Sequence, residues 1–133
     1  MRSRVLFVSP HHDDAILLSR MIGSLSVALD HVPDLAHARA ALLEEHYQVV
    51  LTEASLPDGK WIDVLNMVRQ QALAGSEVIV TDSRADARFW AEALNLGAYD
   101  LIAQPFAASE VQRILANACT RLEPRAQVAH AAL

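Results

Sequence analysis

Residues 49–59 read VVLTEASLPDG, a short apolar run that ends in an acid and leads into a turn. The three aliphatic residues at 49–51 suit a strand buried on both faces, as the strands of a parallel sheet are. Pro57, Asp58 and Gly59 favour a turn, because Pro fixes φ, Asp bonds to nearby backbone and Gly tolerates positive φ. The segment therefore predicts a central strand of a parallel sheet followed by a tight turn.

The same alternation extends along the chain in both directions. Four further apolar runs predict strands at 5–8, 25–29, 78–80 and 101–103, the second being the weakest. Segments with helical spacing follow all five runs. Asp13 or Asp14 is expected to cap the first helix, Pro33-Asp34 to open the second and Gly97 to end the fourth. Five β-α units in succession predict an α/β fold with a doubly wound, five-stranded parallel sheet and right-handed crossovers.

Length and charge limit the classes of protein. At 133 residues, the chain is expected to form one domain over 1–122 with a flexible tail over 123–133. With a net charge of −5, the chain lacks the basic surface that is typical of a nucleic-acid binder. We find no signal peptide and no apolar stretch that could span a membrane, so we expect a cytoplasmic protein without membrane contacts. The single cysteine, Cys119, is expected to be a half-buried apolar residue.

Polar residues follow the predicted strands at the end where ligands collect in such sheets. They are Ser9-Pro10, Glu53, Thr81-Asp82 and Gln104. Together with Leu56-Pro57-Asp58-Gly59, Leu96-Gly97-Ala98 and Gln104-Pro105-Phe106, their order resembles the receiver domain of response regulators in two-component systems. The resemblance covers about residues 4–122 and implies a flavodoxin-like (βα)5 fold, a role in phosphorelay signal transduction and a cis Gln104–Pro105 peptide bond.

A working receiver has two acids after the first strand that hold Mg²⁺, a phosphoacceptor Asp ending the third strand and a Lys ending the fifth. The resemblance places the acid pair at Ser9 and Pro10, the acceptor at Glu53 and the Lys at Gln104. Neither Ser nor Pro supplies a carboxylate, Gln is neutral, and Glu extends about 1.5 Å further than Asp. Phosphoryl transfer needs its charge neutralised by a metal and a cation. This chain therefore resembles a degenerate member, a pseudo-receiver without a metal site or other cofactor.

Two switch positions carry over less directly. The hydroxyl position ending the fourth strand falls on Thr81 by residue type and on Asp82 by spacing, and the sequence leaves this open. The switch aromatic maps to Leu101, so a rotating aromatic is not expected there, although Tyr99 lies nearby. Whether Glu53 mimics a phosphorylated Asp also stays open.

The resemblance implies a non-enzymatic module that acts by protein contact. Its partner would be a sensor kinase, an output protein or a second copy, bound through the fourth helix, fifth strand and fifth helix around Arg88, Tyr99 and Asn117. One alternative is a receiver that can still be phosphorylated with Mg²⁺.

A second alternative comes from residues 9–14, SPHHDD, which resemble the Pro-His-x-Asp-Asp signature of PIG-L-type zinc deacetylases. There His11 and Asp14 would bind zinc and Asp13 would act as base. No downstream histidine motif supplies a third ligand, so we favour a simpler interpretation. In that interpretation the two acids support the start of the helix and His11 and His12 lie in an exposed loop.

Overall fold

A computed structural model of the chain describes residues 3–70 and 75–122, and it contains the predicted five β-α units. The strands and helices alternate as follows: β1 Ser3–Val8, α1 His12–Met21, β2 Val27–Val32, α2 Leu35–Glu44, β3 Val49–Glu53, β4 Ser55–Leu56, β5 Gly59–Lys60, α3 Trp61–Gln70, β6 Glu77–Asp82, α4 Ala87–Leu96, β7 Asp100–Ala103 and α5 Ala108–Leu122. The predicted tail at 123–133 lies outside the described residues. None of the helices in the described ranges has the length and apolar character that crossing a membrane requires.

Five of the strands form one parallel sheet in the order β2-β1-β3-β6-β7. Chain order reverses between β1 and β3, which lie side by side at the centre of the sheet. In doubly wound sheets the carboxyl ends of the strands at this reversal form a crevice. The fold therefore places the residues after β1 and at the end of β3 in the crevice.

The helices cover both faces of the sheet and bury a core on each. Val5, Phe7 and Leu51 point to one face and pack with residues of α1 and α5. On the opposite face, one cluster joins the sheet to α2 and α3 and another joins it to α3 and α4. The side chains of β1 and β3 therefore alternate between two apolar layers, which is why both strands read as continuous apolar runs.

The turn after β3 has a structural role that its residue types only partly reveal. The Asp58 carboxylate accepts hydrogen bonds from the backbone N–H groups of Leu35 and Ala36, at 2.8 and 3.2 Å, and so covers the N-terminus of α2. A Cβ on Gly59 would lie 2.2 Å from a methyl carbon of Leu35 and 2.8 Å from the Asp63 carboxylate. A side chain at position 59 would therefore require the Leu35 and Asp63 side chains to move, because the turn lies directly against α2.

The capping predictions were partly wrong. Asp34 caps α2, as Pro33-Asp34 predicted, and Gly97 ends α4 with φ +114°. The N-cap of α1, however, is His11, whose side chain makes no capping hydrogen bond, and Asp13 and Asp14 lie in the first turn. Both acids still face the positive end of the helix dipole there. Asp86 caps α4, and its carboxylate accepts a hydrogen bond from the backbone N–H of Phe89 at 2.8 Å.

The second strand also differs from its prediction. It runs from Val27 to Val32, so it starts two residues later and ends three residues later than the apolar run at 25–29. Only Val27 in this strand is buried. The reason is its position at the edge of the sheet, where the strand is only partly covered and needs no continuous apolar run. The Gln104–Pro105 peptide bond is cis, as the resemblance implied.

Candidate functional site

Three polar residues come together in the crevice at the carboxyl end of the sheet. Ser9 follows β1, Glu53 ends β3, and Thr81 pairs with Glu53 in the register of β3 and β6. Side chains alternate along a strand, so all three point to the face that α1 and α5 cover, as Phe7 and Leu51 do. Ser9 and Thr81 are fully buried and Glu53 is 8% exposed. The sheet thus presents two hydroxyls and a carboxylate side by side.

The Glu53 carboxylate has two close partners. The Ser9 hydroxyl donates to its Oε2 atom, and Nδ1 of His11 lies 2.9 Å from the same oxygen. The Ser9 hydroxyl also accepts from the backbone N–H of His11 at 3.0 Å. Glu53 is therefore held by a closed network that involves both residues, and the network satisfies its buried oxygen as burial requires.

The hydrogen bond to Glu53 raises the pKa of His11 above its usual value, and the negative charges of Glu53 and Asp14 act in the same direction. Since a carboxylate only accepts, Nδ1 is the ring nitrogen that carries the proton in this contact. The imidazole is thus a hydrogen-bond donor to Glu53 at a site where the receiver pattern lacks its lysine.

The interpretation of His11 as a residue of an exposed loop was incomplete. Its side chain is 62% exposed, but the ring reaches back over the crevice to Glu53, 42 residues away in sequence. Asp14, one helical turn further on, has its Oδ2 atom 3.9 Å from the same ring nitrogen. His11, Asp14 and Glu53 each offer a ligand atom, and these atoms lie within 4.8 Å of one another. Asp13 is exposed and is not part of this group.

Thr81 and Asp82 differ in orientation. The Thr81 hydroxyl donates to the carbonyl of Ile102 at 2.8 Å, within the layer that also contains Glu53. Asp82 is the next residue of β6, so its side chain points to the other side of the sheet, and its carboxylate lies 3.8 Å from Nε of Arg84. Of the two candidate switch residues, Thr81 is therefore the neighbour of Glu53.

The remaining candidate positions supply neither charge nor a mobile ring. Gln104 has a buried amide nitrogen that finds no hydrogen-bond partner within residues 3–70 and 75–122. Leu101 is buried among apolar residues beside α3 and α4. Pro10 is exposed. None of these side chains provides the cation or the switching aromatic that a working receiver uses.

The Mg²⁺ site implied by the receiver resemblance does not fit these residues. Ser9 uses its hydroxyl proton to bond Glu53, and Pro10 has no side-chain ligand atom. Mg²⁺ prefers an octahedral set of oxygens, usually with one or two carboxylates. The two positions that would hold it after β1 contribute no carboxylate.

Comparisons with known proteins agree with this fold. The family model of the response regulator receiver domain matches residues 5–116. The response regulator protein PilR of Pseudomonas aeruginosa is 24% identical over 128 residues, and the chain spans 96% of its own length but only 28% of PilR.

Two solved structures share the fold. One is the signal receiver domain of a protein described as a Luxo repressor from Vibrio parahaemolyticus, with a TM-score of 0.87, 23% identity and coverage of 96% of this chain and 98% of that one. The other is the beryllofluoride-activated NtrC4 receiver domain dimer, with a TM-score of 0.81, 21% identity and coverage of 90% and 98%. With this fold, and with the family model matching most of its length, the chain belongs to the response regulator receiver domain family.

Proposed function

We propose that the chain is a pseudo-receiver that acts in signal transduction by protein contact, without phosphoryl transfer and without enzymatic activity. The observation that supports this most directly is the state of Glu53, whose Oε2 atom is held by the Ser9 hydroxyl and by His11 Nδ1. The proposal includes the cytoplasmic location expected from the sequence. Because the chain belongs to the receiver family, it is not a fragment of the zinc deacetylase family.

Physical chemistry disfavours phosphorylation at this position. An attacking carboxylate needs a free oxygen in line with the phosphorus, while a metal and a cation neutralise the transferred group. Here Ser9 and Pro10 stand where a working receiver has its two acids, and Gln104 stands where it has its lysine. The one candidate cation, His11, is already bonded to the carboxylate that would attack. The charge of a phosphoryl group would therefore meet no assembled counter-charge.

The direct test is incubation with acetyl phosphate and Mg²⁺ followed by intact-mass measurement. We expect no phosphoryl adduct on the natural chain, under conditions that label a receiver with a complete acid pair, Asp and Lys. Glu53→Gln is the matched control, because it preserves shape and removes the nucleophile. A phosphoryl adduct on the natural chain that disappears in Glu53→Gln would establish the alternative of a phosphorylatable receiver.

We further propose that the contact surface is the face formed by α4, β7 and α5, and that its first occupant is a second copy of the chain. Trp90 on α4 is 48% exposed, and its indole N–H donates to Asp100 of β7 at 3.1 Å. Leu96 is also exposed on α4. Large, oriented aromatic side chains of this kind are typical of the residues that dominate binding energy at interfaces. The NtrC4 receiver, which has the same fold as this chain, forms a dimer.

Trp90→Ala should weaken self-association by about tenfold or more, since a buried tryptophan at an interface contributes at least about 2 kcal/mol. Sedimentation equilibrium over a range of concentrations measures the effect. Leu43→Ala is the matched control, because Leu43 is 70% exposed on α2, which packs beside β1 and away from β7. A chain that stays monomeric at every concentration, or equal losses in both variants, would contradict a homodimer through this face and favour a kinase or an output protein as the partner.

A further inference from the structure

A second property of the crevice comes from the residues around His11. Its Nδ1 atom lies 2.9 Å from Glu53 Oε2 and 3.9 Å from Asp14 Oδ2, and the three ligand atoms lie within 4.8 Å of one another. The residues come from three places: the loop after β1, the first turn of α1 and the end of β3. One nitrogen and two carboxylates therefore converge where separate elements of the fold meet.

These distances are close to those of ligands around one metal ion. Nitrogen and oxygen ligands bind Zn²⁺ at about 2.0–2.2 Å, which places neighbouring ligand atoms roughly 3.0–3.5 Å apart. The pair at 2.9 Å is already close to this spacing, and the Asp14 Oδ2 atom, 3.9 Å from His11 Nδ1, lies slightly beyond it. His11 and Asp14 are both partly exposed, so side-chain rotation can bring them onto an ion without displacing the core.

The surroundings also resemble those of a metal site. Glu53 is almost fully buried at the end of a strand, and the Ser9 hydroxyl donates to it, which fixes the direction of the carboxylate. Hydrogen bonds of this kind to a ligating group commonly orient metal ligands and raise affinity. Since the His11 side chain is 62% exposed, solvent can complete the coordination.

We propose that His11, Asp14 and Glu53 form a site for a divalent transition metal of the Zn²⁺ class. An imidazole with two carboxylates suits zinc and its neighbours, whereas Mg²⁺ favours an all-oxygen set. The ligands are not the positions after β1 that hold Mg²⁺ in the family, since those are Ser9 and Pro10. The inference does not depend on the proposed loss of phosphoryl transfer.

Binding would change the contacts of the crevice in a defined way. The metal takes the place of the Nδ1 proton of His11, which moves to Nε2 or to solvent, and the histidine–glutamate hydrogen bond is exchanged for two metal bonds. The ion then joins the start of α1 to the end of β3. With three protein ligands, two of them partly exposed, we expect affinity in the micromolar range and a rise in thermal midpoint with zinc concentration.

The test uses the full chain without an affinity tag, titrated with ZnCl₂ by isothermal calorimetry. We expect one ion per chain, no binding of MgCl₂ at the same concentrations, and affinity lowered about tenfold or more in His11→Gln, Asp14→Asn and Glu53→Gln. His12→Gln and Asp13→Asn are matched controls from adjacent positions outside the group, and both should bind as the natural chain does. Circular dichroism verifies that each variant is folded.

A second readout identifies the ligand atom. Zinc should shift the Nδ1 resonance of His11 in ¹⁵N NMR spectra and leave the ring resonances of His12 unchanged. The absence of zinc binding, or binding that survives His11→Gln, would overturn the proposal, as would equal losses in the His12 and Asp13 controls. The acetyl phosphate experiment has a separate readout, so either proposal can fail alone.

Discussion

Replacing Phe7 with alanine is expected to lower the free energy of unfolding by about 3–5 kcal/mol. The ring is fully buried, with its centroid 5.7 Å from that of His31 and 6.4 Å from that of Phe106, which it meets edge-on. The loss combines the transfer of apolar surface out of water with the cavity that a rigid sheet cannot close. Domains of this size are usually stable by about 5–15 kcal/mol, so the variant loses a large share of the total.

Urea denaturation followed by circular dichroism measures this effect. Phe89→Ala is the matched control, because Phe89 lies on α4 and is only partly buried. Its loss should be clearly smaller, on the order of 1–2 kcal/mol. A loss for Phe7→Ala no larger than that for Phe89→Ala would contradict the assignment of Phe7 to the rigid centre of the core. Since Ser9 follows two residues later on the same face, the Phe7 variant should also loosen the network around Glu53.

The second large effect is an expected gain of phosphorylation in a designed variant. The combined variant Ser9→Asp, Pro10→Asp, Glu53→Asp and Gln104→Lys should accept a phosphoryl group from acetyl phosphate in the presence of Mg²⁺. The first two changes supply carboxylates for the metal, and the last supplies the cation. The third withdraws the carboxylate by about 1.5 Å, which frees it from His11 and makes room for the incoming phosphorus.

The expected result is a phosphoryl adduct by intact mass in the combined variant, where the natural chain shows none. The control carries the same changes after β1 and at Gln104 but has Asn at position 53, so it holds the metal site without a nucleophile. A folded combined variant that remains unlabelled would contradict the explanation from four missing groups. It would indicate that backbone geometry at the end of β3, and not side-chain chemistry, prevents the reaction.

The parts of the fold that the sequence predicted are those with a local signal. Val49 to Leu51 lie in the middle of the sheet and are apolar on both faces, so their strand could be predicted. The boundary of β2 could not, because an edge strand with one buried residue has little pattern to detect. Likewise Asp13, Asp14 and Asp86 are all plausible helix caps by type, and only backbone geometry shows that Asp86 alone serves as one.

The sequence pointed to positions that could form the site, but it did not predict which of their side chains contact one another. The family pattern pointed to Ser9, Glu53 and Gln104 and left Thr81 and Asp82 as alternatives, and the alternation of β6 shows that these two face different sides of the sheet. The contact between His11 and Glu53 joins residues far apart in sequence, and no local periodicity reports such a pair. The one available signal was the histidine and aspartate spacing at 9–14, which identified His11 and Asp14 but not their third companion.

The two tryptophans occupy opposite environments, and this makes the chain its own optical probe. Trp61 is buried at the start of α3, whereas half of Trp90 faces water on α4. Indole emission moves to longer wavelength in water, so the two side chains contribute separable bands. In the Trp61→Phe variant, Trp90 on α4 is the single remaining tryptophan. Its emission wavelength and its quenching by iodide report directly whether a partner covers the α4 surface.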